Sequence, residues 1–303
     1  MRQALIKLHT AVLLAGLTGV LGKLISLQAF ALTWYRLIFA SVLIIALTLI
    51  RRRRAAGKAE IRDHGTLFQR PLRESAMMCG VGMILAVHWV FFYASIHASN
   101  VSIGVLCYAL VGFYTAFLDP LVNRRRIRLT EILLSLLTLS GILLIFGFDS
   151  RYRLGIGLGF ISSLLAALFT VTSKKVIQKT GCDSGTMNLH QIIGGALGLT
   201  IFLPLMLRLD PALSFRPTGM DIVWLAVLAL LCTVVQYDFQ IKALQKISAF
   251  TVNLTYNLEP IYSIAIAMLF LGEATQLNFS FYLGLLLIFT AVALQTLQQY
   301  RNR

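Results

Sequence analysis

At 303 residues, with 58% hydrophobic and 13% charged side chains and a mean hydropathy of +0.80, the chain has too little polar surface to cover a water-facing globule. Disorder and a collagen-like repeat are excluded, and so is a disulfide-built secreted scaffold: there are four widely spread cysteines, three of them (Cys79, Cys107, Cys232) inside apolar stretches. The formal net charge of +15 points to nucleic acid, anionic lipid or a topology signal, according to where the 27 basic residues sit.

A helix needs about 20 mostly apolar residues to cross a hydrocarbon core of ~30 Å. In chain order, the segments that meet this requirement are 8–27, 29–50, 76–97, 101–122, 132–148, 154–176, 187–207, 222–241, 249–271 and 279–297. The first resembles a signal-peptide core, but it is too long and no small-residue cleavage site separates it from the second, so it reads as a transmembrane helix. Stretches such as LIIALTLI (43–50) and LGLLLIF (283–289) are apolar on every face, which excludes the alternating strands of an outer-membrane barrel. The expected fold class is an all-α polytopic membrane protein with ten transmembrane helices.

Basic residues that flank membrane helices stay on the cytoplasmic side. With the N-terminus inside, 21 of the 27 Lys and Arg fall on or next to cytoplasmic segments, five on or next to the opposite side, and Arg36 alone lies deeper than the last turn of a span. The alternation supports ten spans with both termini cytoplasmic in the plasma (inner) membrane. The Arg51–Arg52–Arg53–Arg54 run reads as a stop-transfer anchor against the lipid bilayer, the alternative being headgroup or nucleic-acid binding. No basic helix with interleaved aromatics lies outside the spans, so no nucleic acid partner is expected.

Two segments match at a spacing of 148 residues: VLCYALVGFY (105–114) and NLTYNLEPIY (253–262), which align Leu106, Tyr108, Leu110 and Tyr114 with Leu254, Tyr256, Leu258 and Tyr262. One copy lies in span four and the other in span nine. Five spans per half is an odd number, so the halves, 1–149 and 150–303, enter the membrane in opposite orientations, as two inverted five-helix repeats of the kind many secondary transporters use. The loop after span four is basic (Arg124, Arg125, Arg126, Arg128), whereas its counterpart, 272–276, carries no positive charge.

The second copy, ALQKISAFTVNLTYNLEPIY (243–262) followed by FLGE (270–273), resembles the signature of the EamA family of the drug/metabolite transporter superfamily: small residues, then Y-x-x-x-P, then L-G-E. The first half carries a weaker echo, from Tyr93–Ala94–Ser95 through Tyr108. In span pattern the resemblance covers essentially the whole chain. It implies ten helices, cytoplasmic termini and transport of small metabolites, often amino-acid efflux. Gly112 stands where the second copy has Pro260, and Arg125 where it has Glu273, so the first half is expected to lack the proline helix break and the loop carboxylate.

Ionisable groups within a membrane are expensive and are functional candidates by default. Arg36, about seven residues into span two, suits a substrate carboxylate bidentately, or a structural pair. Asp238 and Lys242 in span eight are four apart and share a helix face; they neutralise each other, or Asp238 serves a proton or a substrate amine. Glu259 precedes Pro260, which removes a backbone donor and frees a carbonyl, so this region is expected to kink toward a cavity. Asn253, Tyr256, Asn257 and Pro260 recur at three- and four-residue steps and make one polar face on span nine, with Tyr108 marking the corresponding face of span four. These groups bind a small polar substrate or hold helices together. His88, beside Trp89 and one turn from Phe92, is a candidate for proton coupling, the alternative being a neutral buried histidine bonded to a neighbouring helix; His190 is a weaker candidate of the same kind.

No G-x-x-x-x-G-K-[ST], H-E-x-x-H or Cys-x-x-Cys occurs, and no hydrolase motif surrounds the isolated Ser, His and Asp residues. Hence no cofactor, metal or enzymatic activity is expected. Gly155, Gly157 and Gly159 open span six and suit close helix packing rather than a phosphate loop. The function that fits is a secondary transporter of small organic metabolites, amino acids or related compounds, working by alternating access in the export direction. An intramembrane enzyme or a membrane assembly factor is the alternative. Oligomeric state is not encoded, since any lipid-facing helix can equally be a dimer face.

Overall fold

In hydrocarbon the backbone of a spanning segment has no hydrogen-bond partner but itself, so long apolar runs fold as helices. The computed structural model describes residues 2–56, 70–124, 126, 129–146, 152–272 and 279–301, and among these residues no strand occurs. Seven helices are long and apolar enough to cross a membrane: Gln3–Leu24, Ala29–Ile50, Leu72–Ala98, Val101–Asn123, Arg153–Thr180, Ser184–Leu209 and Gly219–Leu244. The other three expected spans fall on shorter apolar helices, Ile132–Gly141, Glu259–Phe270 and Tyr282–Ala291. Arg125 and Glu273, compared in the sequence, lie outside the described residues.

The elements run α1 (Arg2–Leu24), α2 (Ala29–Ala56), α3 (Leu72–Ala98), α4 (Val101–Cys107), α5 (Leu110–Asn123), α6 (Leu129–Phe146), α7 (Arg153–Thr180) and α8 (Ser184–Leu209). Then come α9 (Gly219–Ala229), a π turn (Leu230–Val235), α10 (Gln236–Leu244), α11 (Ala249–Thr255), a 3₁₀ turn (Tyr256–Leu258), α12 (Glu259–Phe270) and α13 (Phe279–Arg301). Large apolar side chains cover the outside, with Ile201, Leu269 and Phe279 all at least 74% exposed, while Arg36, Gln236, Asn253 and Glu259 are 4% exposed or less. A surface this apolar around a polar interior is built for lipid.

Span four does break, contrary to the expectation from Gly112. α4 stops at Cys107 and α5 resumes at Leu110. The break needs no proline: Tyr108 and Ala109 donate to the carbonyls three residues back, Val105 and Leu106, and this tighter winding interrupts the α ladder. The matching 3₁₀ turn begins at Tyr256, 148 residues on, where Pro260 opens the helix that follows. Both halves therefore break span four or nine at the same tyrosine.

Close crossings hold the elements in place. α3 meets α8 through Gly82, where a Cβ would lie 1.9 Å from the Gln191 carbonyl oxygen, and through Gly194 against the backbone of Cys79. α3 meets α7 through Gly155, against Ser99 and the Ser95 carbonyl, as the glycine-rich start of span six implied. At Gly82 the obstacle is backbone and cannot swing aside. Gly82→Ala should therefore destabilise the protein by about 1–3 kcal/mol, read as a lower thermal melting temperature in detergent. Gly80→Ala, with nothing within 4 Å, should melt like the parent; equal melting of the two variants would refute this crossing.

Candidate functional site

The two broken segments with α1, α2, α3 and α10 surround a small pocket lined by Ala15, Thr18, Arg36, His88, Trp89, Phe92, Tyr108, Gln236, Tyr237, Tyr256 and Glu259. Four of the eight predicted site residues, Arg36, His88, Tyr108 and Glu259, meet here, joined by a fifth, Tyr256. Asp238 and Asn253 are not among its lining residues. Asp238 accepts from Lys242 at 2.5 Å and from the Ser184 hydroxyl at 2.8 Å, the mutual neutralisation that its spacing suggested. Asn253 is fully buried below the pocket and donates to the Thr115 hydroxyl. Asn257 lies in the 3₁₀ turn, and its side chain is outside the described residues. His190 bonds the Thr186 carbonyl of its own helix, away from the pocket.

Arg36 is 1% exposed, and all three of its guanidinium nitrogens donate. Its Nε donates to Thr233 Oγ1 (2.8 Å), one terminal nitrogen to the Tyr93 hydroxyl (2.8 Å) and the other to the Cys232 carbonyl (2.6 Å). The guanidinium lies over the Trp89 ring, 3.6 Å from its centroid. The π turn explains the carbonyl contact: the extra residue shifts the hydrogen-bond ladder, and Thr233 Oγ1 itself donates to the carbonyl five back, Leu228. Every one of these partners is neutral. Of the guanidinium's five N–H groups, three are used, leaving one on each terminal nitrogen.

Glu259, the first residue of α12, opens onto the same pocket; its backbone N–H donates to the Tyr256 carbonyl, but its carboxylate makes no hydrogen bond or ion pair among the described residues. A buried cation and a buried carboxylate thus share one cavity without touching. Isolated charges at such depth are costly. The walls between them are aromatic. Tyr108 lies 5.7 Å from His88 and 6.4 Å from Tyr256, ring centroid to centroid, and Trp89 packs edge-on to Tyr237 at 5.4 Å. His88 Nδ1 is 2.9 Å from the Ser162 carbonyl and hydroxyl, which ties it to α7 as its structural reading supposed; one face of the ring still meets the pocket.

The pairs Trp89–Tyr237 and Tyr108–Tyr256 each join residues 148 apart, and so do His88 and Gln236, which contact the two tyrosines equivalently. Residues at equivalent positions of the 148-residue repeat thus contact each other at the pocket. The sequence comparison missed Gln236 and Tyr237 because it looked for identity. Extending the same spacing back to 88 and 89 would have revealed them as polar and aromatic counterparts. Thr233 and the Cys232 carbonyl had no sequence signal, since a π turn is not visible in composition.

The cavity measures about 20 Å³, enough for roughly one water and too small for a metabolite. A solute can enter only if the helices around it move apart.

The sequence matches the EamA-like transporter family twice, over residues 3–147 and 153–297. Among curated proteins nothing matches. In fold, 29 chains of solved structures match. One, titled only "Crystal structure of protein", superposes with a TM-score of 0.70 at 16% identity, over 100% of this chain and 99% of that one; at such identity the likeness is one of fold alone.

Proposed function

The chain belongs to the EamA-like transporter family, as a multi-pass membrane protein, and on that footing we propose that it is a secondary transporter of small zwitterionic metabolites of the amino-acid type. It works in the export direction across the plasma membrane, with ten spans in two inverted halves (1–149 and 150–303) and both termini in the cytoplasm. The observation that carries the reading is the pair of unjoined ionisable groups, Arg36 and Glu259, buried on one small pocket. A carboxylate fits the two spare N–H groups of Arg36, one on each terminal nitrogen. An ammonium fits Glu259, and the aromatic rings between them accept a hydrocarbon body and add cation–π attraction. Tyr108, Tyr256 and His88 orient the solute, while Asn253 and Asp238 act away from its charged ends.

A carboxylate at Glu259's depth must meet either a cation or a proton. Substrate ammonium and a proton therefore compete for one oxygen pair, which couples their movement through alternating access. Uptake and counterflow in proteoliposomes with a mixed metabolite library, with and without a pH gradient, tests the assignment. The expected result is saturable flux of amino-acid-like solutes that responds to the gradient. No substrate-dependent flux from the whole library would overturn it.

A further inference from the structure

On the membrane face at which α1 ends, one carboxylate joins the two repeats. Asp221, in the first turn of α9, is 2% exposed. One of its oxygens accepts the Ser26 backbone N–H at 2.8 Å, and the other accepts the Ser26 hydroxyl at 2.7 Å. Ser26 lies in the turn between α1 and α2, within the first matched repeat, and Asp221 lies within the second. The second oxygen also accepts the Thr218 N–H at 2.8 Å, while the Asp221 N–H donates back to Thr218 Oγ1, the reciprocal pair that caps α9.

The chain leading into α9 is fastened to α2 beside this clasp. The Phe215 carbonyl accepts from the Tyr35 hydroxyl at 2.8 Å. The Phe215 ring packs against Phe30, Trp34 and Tyr35, edge-on to the first two, with centroids 6.4, 5.6 and 6.2 Å away. The connection 210–218 is thereby strapped to the first turns of α2. Arg36 lies seven residues beyond Ala29 on that helix, about 10 Å deeper by helical rise. Its partners Cys232 and Thr233 sit in the π turn that follows α9, and Thr18 of α1 lines the pocket. Clasp and strap therefore tie together α1, α2 and α9, the helices that lead from this face to the pocket.

The tie can release without stranding a buried group. Ser26 and Thr218 are exposed, so water replaces the Ser26 bonds as the repeats part, and Asp221 keeps its cap on α9. On the opposite face, the end of α7 meets the start of α3 through an Arg70 hydrogen bond to the Thr180 carbonyl (3.0 Å) and a Lys179 contact with the Met77 sulfur (3.7 Å). Those donors end long, flexible side chains, whereas Ser26 and Asp221 are short and meet through two bonds.

We propose that the 210–218 connection is a strap closing the pocket toward the face at which α1 ends, and that the Ser26–Asp221 clasp is its latch. Asp221 must part from the α1–α2 turn for a solute to pass on that side, which is the outer one in the orientation proposed. The proposal rests on the transport reading above and adds its outer gate.

The test uses the full chain, with Thr18→Cys as a reporter in sealed membrane vesicles of either orientation. A membrane-impermeant methanethiosulfonate added at the α1 end should react with Thr18→Cys at least tenfold faster when Asp221→Asn is also present, after subtraction of the native cysteines. Added at the opposite face, it should gain nothing from Asp221→Asn. An unchanged rate at the α1 end, or equal gains from both faces, would overturn the latch. A second arm carries its own folding control: Ser26→Cys with Asp221→Cys, bridged by a short bis-methanethiosulfonate in proteoliposomes. Bridging should cut flux of a radiolabelled mixture of the protein amino acids at least tenfold, and reduction should restore it; flux untouched by complete bridging would overturn the gate. Absence of any flux in the parent protein would count against the transport reading, and the reporter rates would still decide the latch.

Discussion

Replacing Arg36 with alanine should lower transport at least ~100-fold, about 3 kcal/mol of lost stabilisation, and Arg36→Lys should not restore it. The guanidinium makes three hydrogen bonds at once, to Thr233, Tyr93 and the Cys232 carbonyl, and stacks on Trp89. Each bond involves a charged group and contributes about 1.5–3 kcal/mol. A lysine ammonium is a point charge on a flexible stem; it can neither satisfy three acceptors in this planar array nor stack on the indole while offering two parallel donors to a carboxylate. The same substitution strands the Cys232 carbonyl of the π turn, so melting temperature should fall along with flux. Flux and melting in reconstituted and detergent-purified variants check both halves of this expectation. A lysine variant with full transport would show that Arg36 supplies charge alone.

Glu259→Gln should weaken binding of amine-bearing solutes by roughly 10–100-fold, as expected for losing one hydrogen bond to a charged group, and should remove the response of flux to a pH gradient. Glutamine keeps the size and one acceptor oxygen, so packing of α12 against α1 is spared and the change isolates the charge. Solutes without an amine should be unaffected. Radioligand binding and counterflow at two internal pH values distinguish these outcomes; a gradient response that survives would move the proton site away from Glu259.

The elements that carry these expectations were unequally legible in the sequence. Hydropathy located the helices because a spanning segment advertises itself over 20 residues, and the charge tally suggested a threading order. Arg36 and Glu259 stood out because charge inside an apolar run is costly and needs a partner or a function. The pocket itself was less visible. Trp89, Tyr237 and Gln236 come from elements 148 residues apart, and only the fold brings them together. Asn253 was recognised as polar within span nine, but helical periodicity gives a face and not a depth, so its pairing with Thr115 of α5 was hidden. The break at Tyr108 escaped because it is made by backbone winding, whereas proline is the signal a sequence displays.

The central claim, that opposite ends of one solute bridge Arg36 and Glu259, is tested most directly by a three-ligand binding series on the purified protein: an amino acid, the same molecule without its amine, and the same molecule without its carboxylate. The parent should bind the zwitterion at least tenfold more tightly than either analogue, with Arg36→Ala losing the preference for the carboxylate and Glu259→Gln losing the preference for the amine. Equal affinity for all three ligands, or preferences untouched by the two substitutions, would contradict it.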